Sequence, residues 1–210
     1  DEEVNIAGLA FYHALLNELH QYHIEPIVTI SHNEMPLHLV TEYGGWSNKK
    51  VIDLYVRYAE TLFKEFKDDV RYWINEVNDM NIPLSLLLEG GVYLPGMKYF
   101  GDNVDDPQVR WNAQNNVLIA SAKAVRKGRK INPDFHFGTM ICHITLYPRT
   151  CHPDDILLVH QNDQIRNCLC ADVMLKGEYP YYAKSYFNKN DGNIYYGTYT
   201  APGTIAHELF

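Results

Sequence analysis

Polar side chains able to do chemistry gather at three places where apolar runs give out. Ser31-His32, with Glu34 close behind, follows Ile27-Val28-Thr29-Ile30; Asn75-Glu76, with Asn78, follows Val70 to Ile74; and the stretch Tyr147 to Asp155 follows Phe135 to Leu146. In parallel α/β proteins ligands collect at the carboxyl ends of the strands, so a carboxylate placed there is a candidate acid or base. Glu76 is that carboxylate. An Asn-Glu pair beside a histidine suits sugar hydroxyls plus a proton donor, which points to glycoside hydrolysis with Glu76 as acid/base. For each of these residues taken singly, a structural or solvated role stays open.

The elements that must position these groups alternate. Apolar residues at helical spacing (Ile6, Leu9, Tyr12, Leu16, Leu19, widened by Phe11 and Leu15) predict a helix from Asn5 to Tyr22, stopping near His23, where glycine or asparagine would better fit a left-handed cap. Ile27 to Ile30 reads as a buried parallel strand, Lys50 to Phe66 as a helix with Val51, Tyr55, Tyr58, Leu62 and Phe66 on one stripe, and Val70 to Asn75 as the next strand. Met80 to Pro107 is irregular and too long for a simple connector. A helix from Trp111 to Arg129 follows, with Ala113, Val117, Ala120 and Ala124 on one side, then a strand from Phe135 to Leu146. The remainder reads as a helix from His152 to about Leu175 stopped by Gly177, a short helix Tyr181 to Phe187 and a weak strand Ile194 to Thr200. Strands alternating with helices predict a parallel sheet, either doubly wound or part of a (β/α)₈ barrel, and no glycine-rich phosphate loop follows any strand.

Composition narrows the functional classes. With 46% hydrophobic and 21% charged residues, the 210-residue chain reads as one globular domain, residues 1–210, without a membrane span. A formal charge of −8 argues against nucleic acid, and the one basic cluster, Lys123, Arg126, Lys127, Arg129 and Lys130, falls at a helix end where cations complement the dipole. Cys142, Cys151, Cys168 and Cys170 lack paired metal-site spacing, which suggests free thiols and a cytoplasmic setting with no metal or cofactor. A metal-hydrolase reading rests only on His207-Glu208, the beginning of an H-E-x-x-H pattern without its second histidine, and is set aside.

Longer matches sharpen the picture. Val28 to Val40, T-I-S-H-N-E-M-P-L-H-L-V from Thr29, then Tyr43-Gly44-Gly45-Trp46, resembles a segment of glycoside hydrolase family 1 in its bacterial 6-phospho-β-glucosidase branch. Ile131-Asn132-Pro133, Tyr147-Pro148 and Cys151-His152-Pro153-Asp154-Asp155 are similar to later stretches of that branch, and the likeness runs from about Val4 to Phe187. The resemblance implies a (β/α)₈ TIM barrel, here an incomplete one covering roughly the third to sixth strands. It also implies retaining hydrolysis of phospho-β-glucosides by two glutamates. By position Glu76 resembles the acid/base, Asn75 the neighbour that holds the sugar 2-hydroxyl, and His32 the histidine that contacts the sugar.

The departures carry expectations of their own. The family's T-E-N-G nucleophile motif does not occur, nor does the late loop that reads the 6-phosphate, and Asn33 replaces an aromatic residue. The family's W-x-T-F-N-E is shortened to Trp73-Ile74-Asn75-Glu76. Losing two residues from a strand preserves the face of each side chain but draws the end back by about 6 to 7 Å, so Glu76 is expected to point correctly and sit too deep. The chain as written is therefore expected to be inactive. The alternative is a noncatalytic half-barrel that binds sugar or self-associates as a homo-oligomer, since open strand edges invite pairing.

Overall fold

The computed structural model describes residues 3–32, 35–77, 92, 106–141 and 143–189, with Glu76, Val77, Asn188 and Lys189 described through their backbone. Asn33, Glu34, Asn78, Cys142, nearly all of the Met80 to Pro107 stretch, the weak strand Ile194 to Thr200 and His207-Glu208 lie outside the described residues.

Three parallel strands, β1 (Ile27–Thr29), β2 (Tyr72–Val77) and β3 (His136–Met140), stand side by side in chain order. Helix α1 (Ile6–Gln21) precedes β1, and α2 (Leu37–Tyr43), a 3₁₀ turn (Gly45–Ser47) and α3 (Lys50–Glu65) lead to β2. Helix α4 (Pro107–Ile131) joins β2 to β3; α5 (Pro153–Asp163), a π-helical turn (Gln164–Cys168), α6 (Leu169–Lys176) and α7 (Tyr181–Lys189) follow.

Both crossover helices cover the same sheet face. Phe63 of α3 meets the rings of Trp73 at 5.0 Å and Phe137 at 5.5 Å, while Gly128 of α4 lies against Phe137. A Cβ at Gly128 would come within 2.4 Å of the Phe137 ring, so only glycine lets α4 approach this closely. A doubly wound sheet would carry helices on both faces; sequential strand order with helices on one face is barrel-type winding. The other face carries Tyr72 and His136, whose rings stack 5.0 Å apart.

The expected elements are present with shifted limits. Helix α1 ends one residue sooner, and His23 takes φ 57°, the left-handed conformation that its position called for glycine to fill. Its apolar stripe is only half used: Leu16 is buried and Leu9 and Leu19 are partly so, whereas Ile6, Phe11 and Tyr12 face solvent. On α3, Val51, Tyr55, Ala59 and Phe63 are buried, but Tyr58 is half exposed. Helix α4 is buried on nearly all sides, because one core packs Ala113, Val117, Ala120 and Ala124 towards the sheet and a second sets Trp111, Leu118 and Ala122 against α6 and α7.

Three departures have clear physical causes. Helix α2 is an element the sequence does not announce, because its seven residues are too few for a periodic signal. Strand β3 stops at Met140 rather than Leu146, since beyond it the backbone of Ile144 bonds to a side chain instead of a strand: its N–H donates to Asn167 Oδ1 at 3.0 Å and its carbonyl accepts from Asn167 Nδ2 at 2.8 Å. The single helix expected from His152 to Leu175 is divided by the π turn that carries this Asn167.

Candidate active site

β1 leads into Ser31-His32 and β2 carries Asn75-Glu76 in its last residues, and because Thr29 pairs with Ile74 these two stretches stand at the same, carboxyl end of the sheet. His32 is exposed there. Glu76 continues the strand, with its Cα opposite Thr139 of β3.

Asn75 is 1% exposed, and both ends of its amide have partners. Nδ2 donates to the Ser121 carbonyl at 2.9 Å and to Ser121 Oγ at 2.6 Å, and Oδ1 lies 3.2 Å from the Tyr55 hydroxyl, which also donates to the Asn75 backbone carbonyl. The amide thus faces α3 and α4. A buried amide costs several kcal/mol, on the order of 2 to 4, when its partners are missing; here both Nδ2 protons have acceptors, and Oδ1 shares the single Tyr55 proton with the backbone carbonyl.

A β-bulge sits at the same residue. Between the pairs Ile74–Gly138 and Glu76–Thr139, β2 advances two residues while β3 advances one. The expectation that a shortened strand keeps every side chain on its face presumes unbroken alternation, and the bulge interrupts alternation between Ile74 and Glu76. Strand β2 also runs to Val77 instead of ending at Asn75.

Two residues near this end escape a sequence reading. Tyr55 and Ser121 are ordinary helical residues until the fold sets them against Asn75. Gln114, two turns before Ser121 on α4, is fully buried, and both its amide atoms lack a hydrogen-bond partner. Among the described residues no three His, Cys, Asp or Glu side chains come together as metal ligands, and no helix is long and apolar enough to cross a membrane. Cys151, Cys168 and Cys170 are in no disulfide among the described residues, and burial pushes the Cys168 thiol upward, with Asp163 adding to the effect. The basic cluster on α4 is engaged laterally: Lys127 lies 3.1 Å from Glu60 and Lys123 3.7 Å from Asp53.

Comparison with known proteins addresses the whole chain. The model of glycosyl hydrolase family 1 matches residues 1–201. The aryl-phospho-β-D-glucosidase BglA of Bacillus subtilis is 41% identical over 199 residues, covering 92% of this chain and 40% of that protein. A 6-phospho-β-glucosidase of Clostridium longisporum is 39% identical over 197 residues, again 92% and 40%. The β-glucosidase of Thermotoga maritima in complex with glucoimidazole superposes with a TM-score of 0.81 at 27% identity, covering all of this chain and 44% of that one. The chain therefore spans about 40% of the length of the curated relatives it matches. One-sided parallel winding, the Asn-Glu strand end and a family match over nearly all its residues agree: the chain belongs to glycosyl hydrolase family 1.

Proposed function

We propose that the chain serves the hydrolysis of β-glucosides, 6-phosphorylated ones in particular, by a retaining double displacement in which Glu76 is the acid/base. The observation that carries this reading is that Ser31-His32 and Asn75-Glu76 stand at the carboxyl ends of neighbouring parallel strands, in a family whose relatives named above are phospho-β-glucosidases. His32 contacts the sugar. Asn75, matched by position to the residue that holds the 2-hydroxyl, must exchange its bonds to Ser121 and Tyr55 to do so. On this reading the three described strands are the third to fifth of the barrel.

A retaining enzyme needs a second carboxylate about 5 to 5.5 Å from the first. No T-E-N-G motif supplies it within these 210 residues, so the isolated chain binds without turning over. An assay of the chain on an aryl 6-phospho-β-glucoside tests this: turnover abolished by Glu76→Gln refutes inactivity and keeps the acid/base role, and turnover indifferent to Glu76→Gln refutes that role.

A second reading, self-association through the sheet edges, is favoured by Ile27, 66% exposed on β1, which is an edge strand among the described residues. Light scattering that gives a monomer at about 100 μM, a concentration at which weak interfaces assemble, counts against it.

A further inference from the structure

A groove of about 460 Å³ runs between α5 and α7, with residues of the π turn at its base. Helical spacing builds its two walls. Leu158 and Gln161 stand one turn apart on α5, Tyr181 and Ser185 one turn apart on α7, and both pairs line the gap. Gln164 and Ile165, adjacent in sequence, both line it from the π turn, a distortion that recurs at functional sites.

The α7 wall is aromatic and held in place. The Tyr181 and Tyr182 rings meet edge to face at 5.6 Å. Tyr182 donates its hydroxyl to Asp172 Oδ2 at 2.5 Å while Lys176 holds Oδ1 of the same carboxylate at 2.7 Å, so this ring is anchored to α6. Tyr181, 77% exposed, stands against that anchored ring, and a wall positioned in advance lowers the ordering cost of binding. The amides of Gln161 and Gln164 and the Ser185 hydroxyl can each donate and accept. Such groups match hydroxyls, which also do both, and a rigid ring that carries hydroxyls on its rim and C–H groups on its faces can lie against a phenol ring as well. The volume falls within the range of small-molecule sites, about 300 to 1,000 Å³.

We propose that this groove is a binding site for neutral pyranosides, with the sugar ring against Tyr181 and its hydroxyls on Gln161 and Gln164. None of the described residues that line it belongs to the strand ends carrying His32, Asn75 and Glu76, and the site does not depend on the function proposed above.

Titration of the isotope-labelled chain with methyl β-D-glucopyranoside, followed through the side-chain amide signals of Gln161 and Gln164 by nuclear magnetic resonance, tests it. Both signals are expected to shift and to saturate with a Kd of about 1 to 10 mM, the affinity of a small ligand at an open site. Tyr181→Ala should weaken binding at least about fivefold and Gln161→Leu about threefold, both at exposed positions where the fold is not at stake. Sorbitol, which carries the hydroxyls without the rigid ring, should bind at least about fivefold more weakly. The shifts should survive His32→Ala unchanged. Equal affinity for sorbitol, indifference to both groove variants, or loss of the shifts on His32→Ala would each overturn the proposal. So would amide signals that stay in place at about 100 mM glucoside, well above a millimolar Kd.

Discussion

At the end of β2 an asparagine belongs to the strand and reaches into the helices; beyond β3 an asparagine belongs to a helical turn and reaches out to the extended chain. Asn75 is enclosed by Tyr55 and Ser121 in the layer between sheet and helices, whereas Asn167 holds Ile144, itself 39% exposed, and shares its Nδ2 with Asp163 at 2.6 Å. The same amide chemistry does two jobs. Where the surroundings are dry the amide fixes a strand to its helices, and where one partner is wet it replaces a missing strand neighbour. The first arrangement should be costly to break and the second only locally so.

The largest effect is expected from Asn75→Ala, which orphans buried partners on α4; a loss of about 3 kcal/mol in urea unfolding is predicted. A loss below about 1 kcal/mol would mean that the amide is not the tie between sheet and helices. Asn167→Ala should cost about 1 to 2 kcal/mol and speed hydrogen exchange at the Ile144 amide while leaving β2 amides protected. If protection in β2 falls equally, the contrast between a global and a local tie is lost. Replacing fully buried, unpartnered Gln114 by Met should change stability in the opposite direction, raising it by about 1 kcal/mol, because the desolvation of two polar atoms is relieved.

The smallest effect concerns the α6–α7 contact near Asn167. Hydrogen bonds from Lys176 and then Tyr182 hold the Asp172 carboxyl below its ordinary value, and the Tyr182 hydroxyl is pushed upward by burial and by Asp172. A depressed folded-state pKa contributes stability that is present above the unfolded value, about 3.9, and is lost as pH falls through the lowered one. Asp172→Asn should therefore cost under about 1 kcal/mol at pH 7 and nothing near pH 2, a modest figure for a partly exposed pair. A pH-independent cost would assign Asp172 a packing role instead.

The order of elements and the parallel winding were legible in the residues, because periodicity survives wherever one face is buried. Helix α4 illustrates the limit: Ala113, Val117, Ala120 and Ala124 marked one face, yet Trp111, Leu118 and Ala122 are equally buried by α6 and α7, a partner that periodicity does not announce. At the candidate site, the position of Asn75 and Glu76 at a strand end was readable and the bulge was not, since a bulge is a property of two strands in register. Likewise α5 and α6 read as one helix because all five residues of the intervening turn are compatible with helix.

That turn places two local preferences in conflict. Removing one residue between Gln164 and Cys168 would let α5 and α6 run on as one uninterrupted rod, but the registry that aims Asn167 at Ile144 would be lost, along with both its backbone bonds. The segment is thus frustrated in a useful sense: helix continuity is given up so that the chain beyond β3 keeps a fixed course. A designer who regularised the helix would gain local order there and free the segment from His143 to Thr145 to wander.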